Sequence, residues 1–425
     1  MKAGLGLALL LVLPPSLLAE EQPPIDIVFK IHLEPQSTRE AYRKRRDDVE
    51  AVRAIAEAHG ARLSIHGNGE FWEYAREEGD ASRMRAWIAA GHHVGVHMHS
   101  VYRRGLHDWP QLPAGQQTAD RVRSLWQDHT DALRTLLPEH AIAGATPFSF
   151  EGGAFDSLMQ AFGFSILGGG RHEIATDLLG HPPFNPWRPG AAGLEEDLSN
   201  RDYLIVFHCP QITEARPHGP QPGTFQDARV AHLQVEFLQV LLEREHQART
   251  GGVGKRWLFG FLTHDNQSPA TTRAEVERLF AWLDPFVKAG LARYASFDEV
   301  AASFVDWEGR HPGVSSFHYQ TGDPYPYSFP ALASALHASS TQVVDLVASL
   351  NLGAGVSAYR LSRGPRDGAG REDLLLLWRS AGLAAVDVSS VLPGSLRVMD
   401  ATTGREVAVS ATAVPVGPDP VLVRR

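Results

Sequence analysis

Between residues 25 and about 307, short runs of β-branched and aromatic residues alternate with stretches of helical periodicity. That alternation constrains the fold more than any other feature of the chain. Apolar runs at 25–33 (IDIVFKIHL), 61–66, 93–99, 164–167, 201–208 (containing YLIVFH), 257–263 and 292–295 read as strands. Helical patterns fill 37–58, 82–90, 116–137, 153–162, 226–249, 270–289 and 297–307. Ser37, Thr38, Arg39 and Glu40 spell a capping-box start for the first helix. Strand–helix alternation over nearly 300 residues implies an α/β fold with a mainly parallel sheet, open or closed into a barrel. In such folds chemistry sits at the C-terminal ends of the strands.

The texture changes after residue 313, where Pro, Tyr, Ser and Gly become frequent up to about 330. Beyond it, short strands at 358–361, 373–378, 384–388, 396–399, 406–411 and 421–424 are broken by turn signals, the pattern of an antiparallel β-sandwich. The start of the chain differs again. Lys2 precedes an apolar run over 3–13, then Ala19 and the acidic pair Glu20 and Glu21. This is the pattern of a secretory signal, with an uncleaved anchor as the alternative. The expected organisation is a signal peptide over 1–19, a barrel over 20–318 and a sandwich over 325–425. Export to the periplasm or medium is the expected localisation, with no membrane span in the mature chain.

A net charge of -9 excludes the basic footprint that a nucleic-acid binder needs. A single cysteine, Cys209, excludes an intrachain disulfide and a cysteine-built zinc cluster; it reads as a small buried residue. Any metal is left to His, Asp and Glu, and the chain has 20 histidines.

Chemistry-bearing residues gather at the predicted strand ends. In 91–100 (GHHVGVHMHS), strand alternation puts His93, Gly95, His97 and His99 on one face. Two imidazoles at i and i+2 converge as a divalent metal requires; the alternative is two satisfied structural histidines. The first strand ends with His32 and Glu34 on one face before Pro35 stops it. They suit a ligand and a general base, or a salt-bridged Glu opening a loop. The run 261–266 (FLTHDN) delivers His264 and Asp265 to a strand end, where His is suited to protonate a leaving group. His208 closes YLIVFH, and Glu151 lies in a loop before a helix. Trp72, Tyr74, Tyr102, Trp109 and Trp187 fall in predicted loops after strands. There they would serve as platforms for sugar rings or as core.

The order of these motifs resembles the polysaccharide deacetylase family, the NodB-homology carbohydrate esterases. GHHVGVHMHS is similar to that family's GHEIGxHxxSH. FSFEGGAFDSLMQAFGFSIL looks like its third motif, FLTHD its fifth, and ARYASFDEVAASF its closing strand and helix. The resemblance covers roughly residues 25–305. It implies a distorted (β/α) barrel of the glycoside hydrolase/deacetylase type holding one divalent metal, usually zinc. It further implies removal of N- or O-acetyl groups from a polysaccharide or oligosaccharide by a metal-activated water. Carried over, His97 matches the first metal histidine and His264 the acid. The family's Asp pair is absent, with His32 and Glu34 in its place. Val101 stands where the second metal histidine belongs, and His99 is the substitute. The third motif lacks its Arg and Pro. The expected set is therefore His97 and His99 on the metal with His32 or else Glu34 as the third ligand, and Glu34, His264 and Asp265 catalytic. Glu151, His208, Trp109 and Tyr102 are expected on the substrate. Two alternatives stand beside it. One is a glycoside hydrolase pairing Glu34 with Glu151 or Asp265 at ~5–9.5 Å. The other is a non-catalytic sugar-binding protein. The last strand also resembles the closing strand of β-domains appended to glycosidases.

Overall fold

A computed structural model describes residues 22–35, 38–98, 118–147, 155–168, 184–190, 196–206, 227–250, 252–264, 269–318, 342–353, 356–365, 370–379, 383–401, 405–409, 413–417 and 420–425. Its first part is a curled parallel sheet of β1 (Ile25–Leu33), β2 (Leu63–Gly67), β3 (His93–Met98), β4 (Gly144–Pro147), β5 (Ile166–Leu167), β6 (Leu204–Ile205), β7 (Leu258–His264) and β8 (Ala292–Tyr294). The strand order is β6-β5-β4-β3-β2-β1-β7, with β8 also beside β1. Around it lie α1 (Arg39–Ala58), α2 (Gly69–Glu77), α3 (Ala81–Ala89), α4 (Ala119–Leu136), α5 (Phe155–Phe162), α6 (Asp227–Thr250), α7 (Pro269–Lys288) and α8 (Phe297–Arg310). This is the expected distorted (β/α) barrel.

Strand β1 shows why the sheet curls around a core. All nine of its residues are buried. Ile25, Ile27, Phe29, Ile31 and Leu33 join the core under the helices. Val28 lies in a second apolar cluster with Ile166, Leu204, Leu258 and the α8 residues Phe297, Val300, Phe304 and Trp307. Helix α8 thus closes the lower end of the barrel, and its Phe297 N–H donates to Ser64 Oγ at 3.0 Å. The polar residues of β1 share the Val28 face. Asp26, fully buried, is held at the base by Arg256 and Arg293.

The helix starts correct two expectations. The N-cap of α1 is Thr38, whose side chain accepts from Ala41 N–H, one residue on from the expected cap Ser37, which lies outside the described residues. A complete capping box stands on α8 instead, from Ser296 and Glu299. Helix α2, capped by Asn68, occupies residues expected to be loop.

The second part is all antiparallel. One sheet runs β14 (Glu406–Val407), β13 (Arg397–Asp400), β16 (Val421–Arg424), β11 (Glu372–Arg379), β10 (Val356–Pro365), β9 (Gln342–Asn351), and a two-stranded sheet pairs β12 (Ala384–Asp387) with β15 (Ala413–Val416). Val356, Leu375, Leu377, Val386, Val414 and Val423 fill the space between them, as in a β-sandwich. The other face of the large sheet is not left to water. Tyr359, Leu361, Leu374, Leu376 and Trp378 belong to the barrel's own core cluster. The Tyr359 ring lies 6.1 Å from Phe286 of α7, and the Trp378 indole donates to Glu245 of α6 at 3.4 Å. Strands β9 and β15 were not expected: QVVDLVASLN reads equally as helix, and Pro415 interrupts AVPV. Among the described residues, no helix is long and apolar enough to cross a membrane.

Candidate metal centre

The register of the parallel sheet stacks its inward side chains in layers. Lys30 pairs with Ser64, and Ser64 with His93. One step up, His32 pairs with His66 on one side and with His264 of β7 on the other, and His66 pairs with Gly95. The top layer, at the strands' C-terminal mouth, holds Glu34 just past β1 and His97 of β3, which pairs with Thr146 of β4.

Glycine makes the histidine layers fit. A Cβ on Gly144 would drive into Nε2 of His93 and lie 3.3 Å from Nε2 of His66. A Cβ on Gly95 would lie 2.9 Å from His66 Nε2, and one on Gly168 3.1 Å from its Cε1. His66 is wholly buried, and burial holds its imidazole well below the usual 6.5, with His93, Lys30 and His97 pushing the same way. The Thr146 hydroxyl donates to the Gly168 carbonyl at 3.3 Å, and His66 Nδ1 lies 2.5 Å from it. Nδ1 of a neutral His66 therefore carries the proton and donates. Lys30 also donates to the Gly168 carbonyl. His93 Nδ1 meets Asp298 of α8 at 2.8 Å. Burial raises the Asp298 carboxyl, but the His93 hydrogen bond and charge outweigh it and leave it below the ordinary value.

Above this, His32, Glu34 and His97 come together. One ligand atom from each lies within 4.8 Å of the others, and all three residues are buried. His97 Nε2 stands 3.6 Å from Glu34 Oε1. The His97 Nδ1 lies 3.2 Å from the Thr146 carbonyl, which only accepts. That bond places the ring proton on Nδ1 and leaves Nε2 as the ligand atom, the arrangement metal-binding histidines usually have. Bonds of ~2.0–2.2 Å in a tetrahedron separate ligand atoms by about 3.3–3.6 Å, so the 3.6 Å spacing suits a shared ion. Two imidazoles and a carboxylate form a set that zinc accepts with a position left over. The His32 and His97 rings stack, with centroids 3.9 Å apart and planes at 16°. Stacked planes do not meet at one point, so joint ligation requires one ring to turn about its Cβ–Cγ bond.

Of the other expected site residues, His264 is placed by its backbone alone, beside His32. His99, Tyr102, Trp109, Glu151, His208 and Asp265 lie outside the described residues, as does Cys209. Of the two readings of the aromatic residues, the described ones take the core reading. Trp72 and Tyr74 are on α2 and buried, with the Trp72 indole donating to the Gly67 carbonyl at 2.9 Å. Trp187 is fully buried, its ring 5.6 Å from Phe317. Sequence reading gave no role to Lys30, His66, Asn68, Thr146 or Asp298. A signal was present in β2, where Ser64 and His66 fall at alternate positions of an otherwise apolar strand.

No profile of a known protein family matches the chain, and no curated protein matches it. Among solved structures, it is similar to two proteins that carry the name polysaccharide deacetylase. For one from Mycobacterium smegmatis, identity is 12%, the TM-score is 0.46, and 72% of this chain and 96% of that one are covered. For one from Pseudomonas aeruginosa PAO1 the values are 14%, 0.46, 68% and 93%. It is also similar to the 4-alpha-glucanotransferase from Thermococcus litoralis, at 12% identity and TM-score 0.39, over 66% of this chain and 40% of that one. These are likenesses of backbone course, and the chemistry is argued from the residues.

Proposed function

We propose that the protein is an exported, metal-dependent hydrolase that removes acetyl groups from a polysaccharide. The observation that carries this reading is the buried convergence of His32, Glu34 and His97 at the barrel mouth. The order of sequence motifs supports the substrate class, and the basic-apolar-small start supports export. Native protein whose sequence begins at Met1 would refute cleavage near Ala19 and release from the membrane.

His32 and His97, with Glu34 beside them, would hold one divalent ion. Such an ion polarises an acyl oxygen and makes water nucleophilic near neutral pH. The chain's own groups handle the protons. The Glu34 carboxylate oxygen not engaged with the ion would take the proton as water adds to the acyl carbon. His264, at the end of β7, gives a proton to the nitrogen or oxygen that leaves, and acetate is the other product. Thr146 holds the His97 ring through its carbonyl, so the ligand nitrogen is set before any ion arrives.

Metal content and acetate release from an acetylated oligosaccharide test the reading together. His97→Ala should lose both. His264→Ala should keep the metal and lose ~10²–10⁴-fold in rate. Wild-type protein that binds no metal after loading with zinc, cobalt or nickel would overturn it. Metal-free cleavage of an aryl glycoside would instead place Glu34 in a carboxylate pair.

A further inference from the structure

Asn68 sits where the top layer needs a third strand. Gly67 pairs with Leu33 on one side and Val96 on the other. The next residues on those strands are Glu34 and His97. Asn68 N–H donates to the Leu33 carbonyl at 2.9 Å and extends the ladder one step past β2. The Trp72 indole covers the outer side of Gly67 so closely that a Cβ there would strike it. Alternation then places Asn68 on the inner face with His66, between Glu34 and His97.

The side chain is fixed and half used. Asn68 is buried, and its Oδ1 accepts from Glu70 N–H at 3.0 Å as the cap of α2. That bond settles which end of the amide is oxygen. Nδ2 is buried and has no hydrogen-bond partner among the described residues. Buried donors are almost always satisfied. A donor oriented in advance, in the layer of the reacting groups, is what a developing oxyanion requires.

We propose that Asn68 Nδ2 donates to the carbonyl oxygen of the substrate's acyl group and holds it as water adds. Its only acceptor is already engaged, so it complements a group that can only accept. The inference rests on the acyl-hydrolase reading above and adds a substrate-contacting residue to it.

Asn68→Ser and Asn68→Asp test it, because Ser and Asp cap helices about as well as Asn and neither keeps the amide donor: an ionised Asp has no donor, and the Ser hydroxyl, one bond shorter, does not reach the Nδ2 position. Acetate release should fall ~10²–10³-fold in kcat with KM little changed. Metal stoichiometry and melting temperature should not move. Independently, acetate is titrated into ¹⁵N-labelled protein as purified. The Asn68 side-chain amide signals, identified by their loss in Asn68→Ser, should shift saturably. Wild-type kcat in both variants, or amide signals that acetate leaves in place, would overturn the assignment. A protein that releases no acetate but whose Asn68 signals shift would retain the acyl-oxygen donor and lose the hydrolase reading. Unchanged kcat in an acetate-releasing enzyme would do the reverse.

Discussion

Substituting Gly144 by Ala tests whether the buried histidine layers are packed as described. The added methyl falls closer to His93 Nε2 than real Cβ contacts come, and 3.3 Å from His66 Nε2. Gly144 is not among the glycines of positive φ, so the backbone accepts Ala and steric conflict decides the sign. Reduced unfolded-state entropy would favour Ala by about 0.4–1 kcal/mol. Against this, overpacking costs about 1–3 kcal/mol. Moving the His93 ring also gives up its 2.8 Å bond to Asp298, worth about 1.5–3 kcal/mol for a hydrogen bond to a charged group. The net expectation is a loss of roughly 2–5 kcal/mol. Urea unfolding measures it through the midpoint at constant slope. Removing the ring first should relieve the conflict, so Gly144→Ala in a His93→Ala background should cost at least about 1.5 kcal/mol less than in wild type. A single variant within about 0.5 kcal/mol of wild type, or a double variant with no relief, would refute the packing.

Three further outcomes follow from the same geometry. His66 stays neutral in the fold while the unfolded side chain takes up a proton near 6.5, so its contribution is complete above that pH and lost below it. Metal-free protein should lose up to about 1.4 kcal/mol per pH unit between pH 6.5 and 5, and His66→Asn should flatten the slope in a urea series; an unchanged slope would contradict it. Thr146→Val removes the acceptor for His66 Nδ1 but keeps the carbonyl that holds His97, so stability should fall by about 1–3 kcal/mol while zinc affinity by calorimetry stays the same. Ending the chain after residue 318 strips Tyr359 and Trp378 from α7 and α6; we expect aggregation in sedimentation, and a soluble, metal-binding fragment would show that the barrel over 20–318 stands without the sandwich over 325–425.

The readable parts of the fold are those governed by local periodicity. Strand β1 announces itself because nine residues buried on both faces must be apolar or paired. The helix over 39–58 is legible from its spacing, though its cap moved from Ser37 to Thr38. Helix α2 escaped because Trp72 and Tyr74 follow a strand as binding-loop aromatics would, and only the indole's fit over Gly67 shows that they are core. The convergence of His32, Glu34 and His97 was partly legible, since period-2 alternation tells which side chains share a face of one strand.

What sequence alone determined was the class of fold, the change of texture after 313, and the gathering of His and Glu at strand ends. Each depends on neighbours a few residues apart. Tertiary structure decided which strand ends meet. Register between β1, β2 and β3 brings Glu34 and His97 to 3.6 Å with Asn68 between their strands. It also assigns Gly95, Gly144 and Gly168 to make room for His66 and His93. These pairings join residues 29 or more positions apart. Register across a sheet is fixed by the packing of both faces at once, and no single segment carries that information.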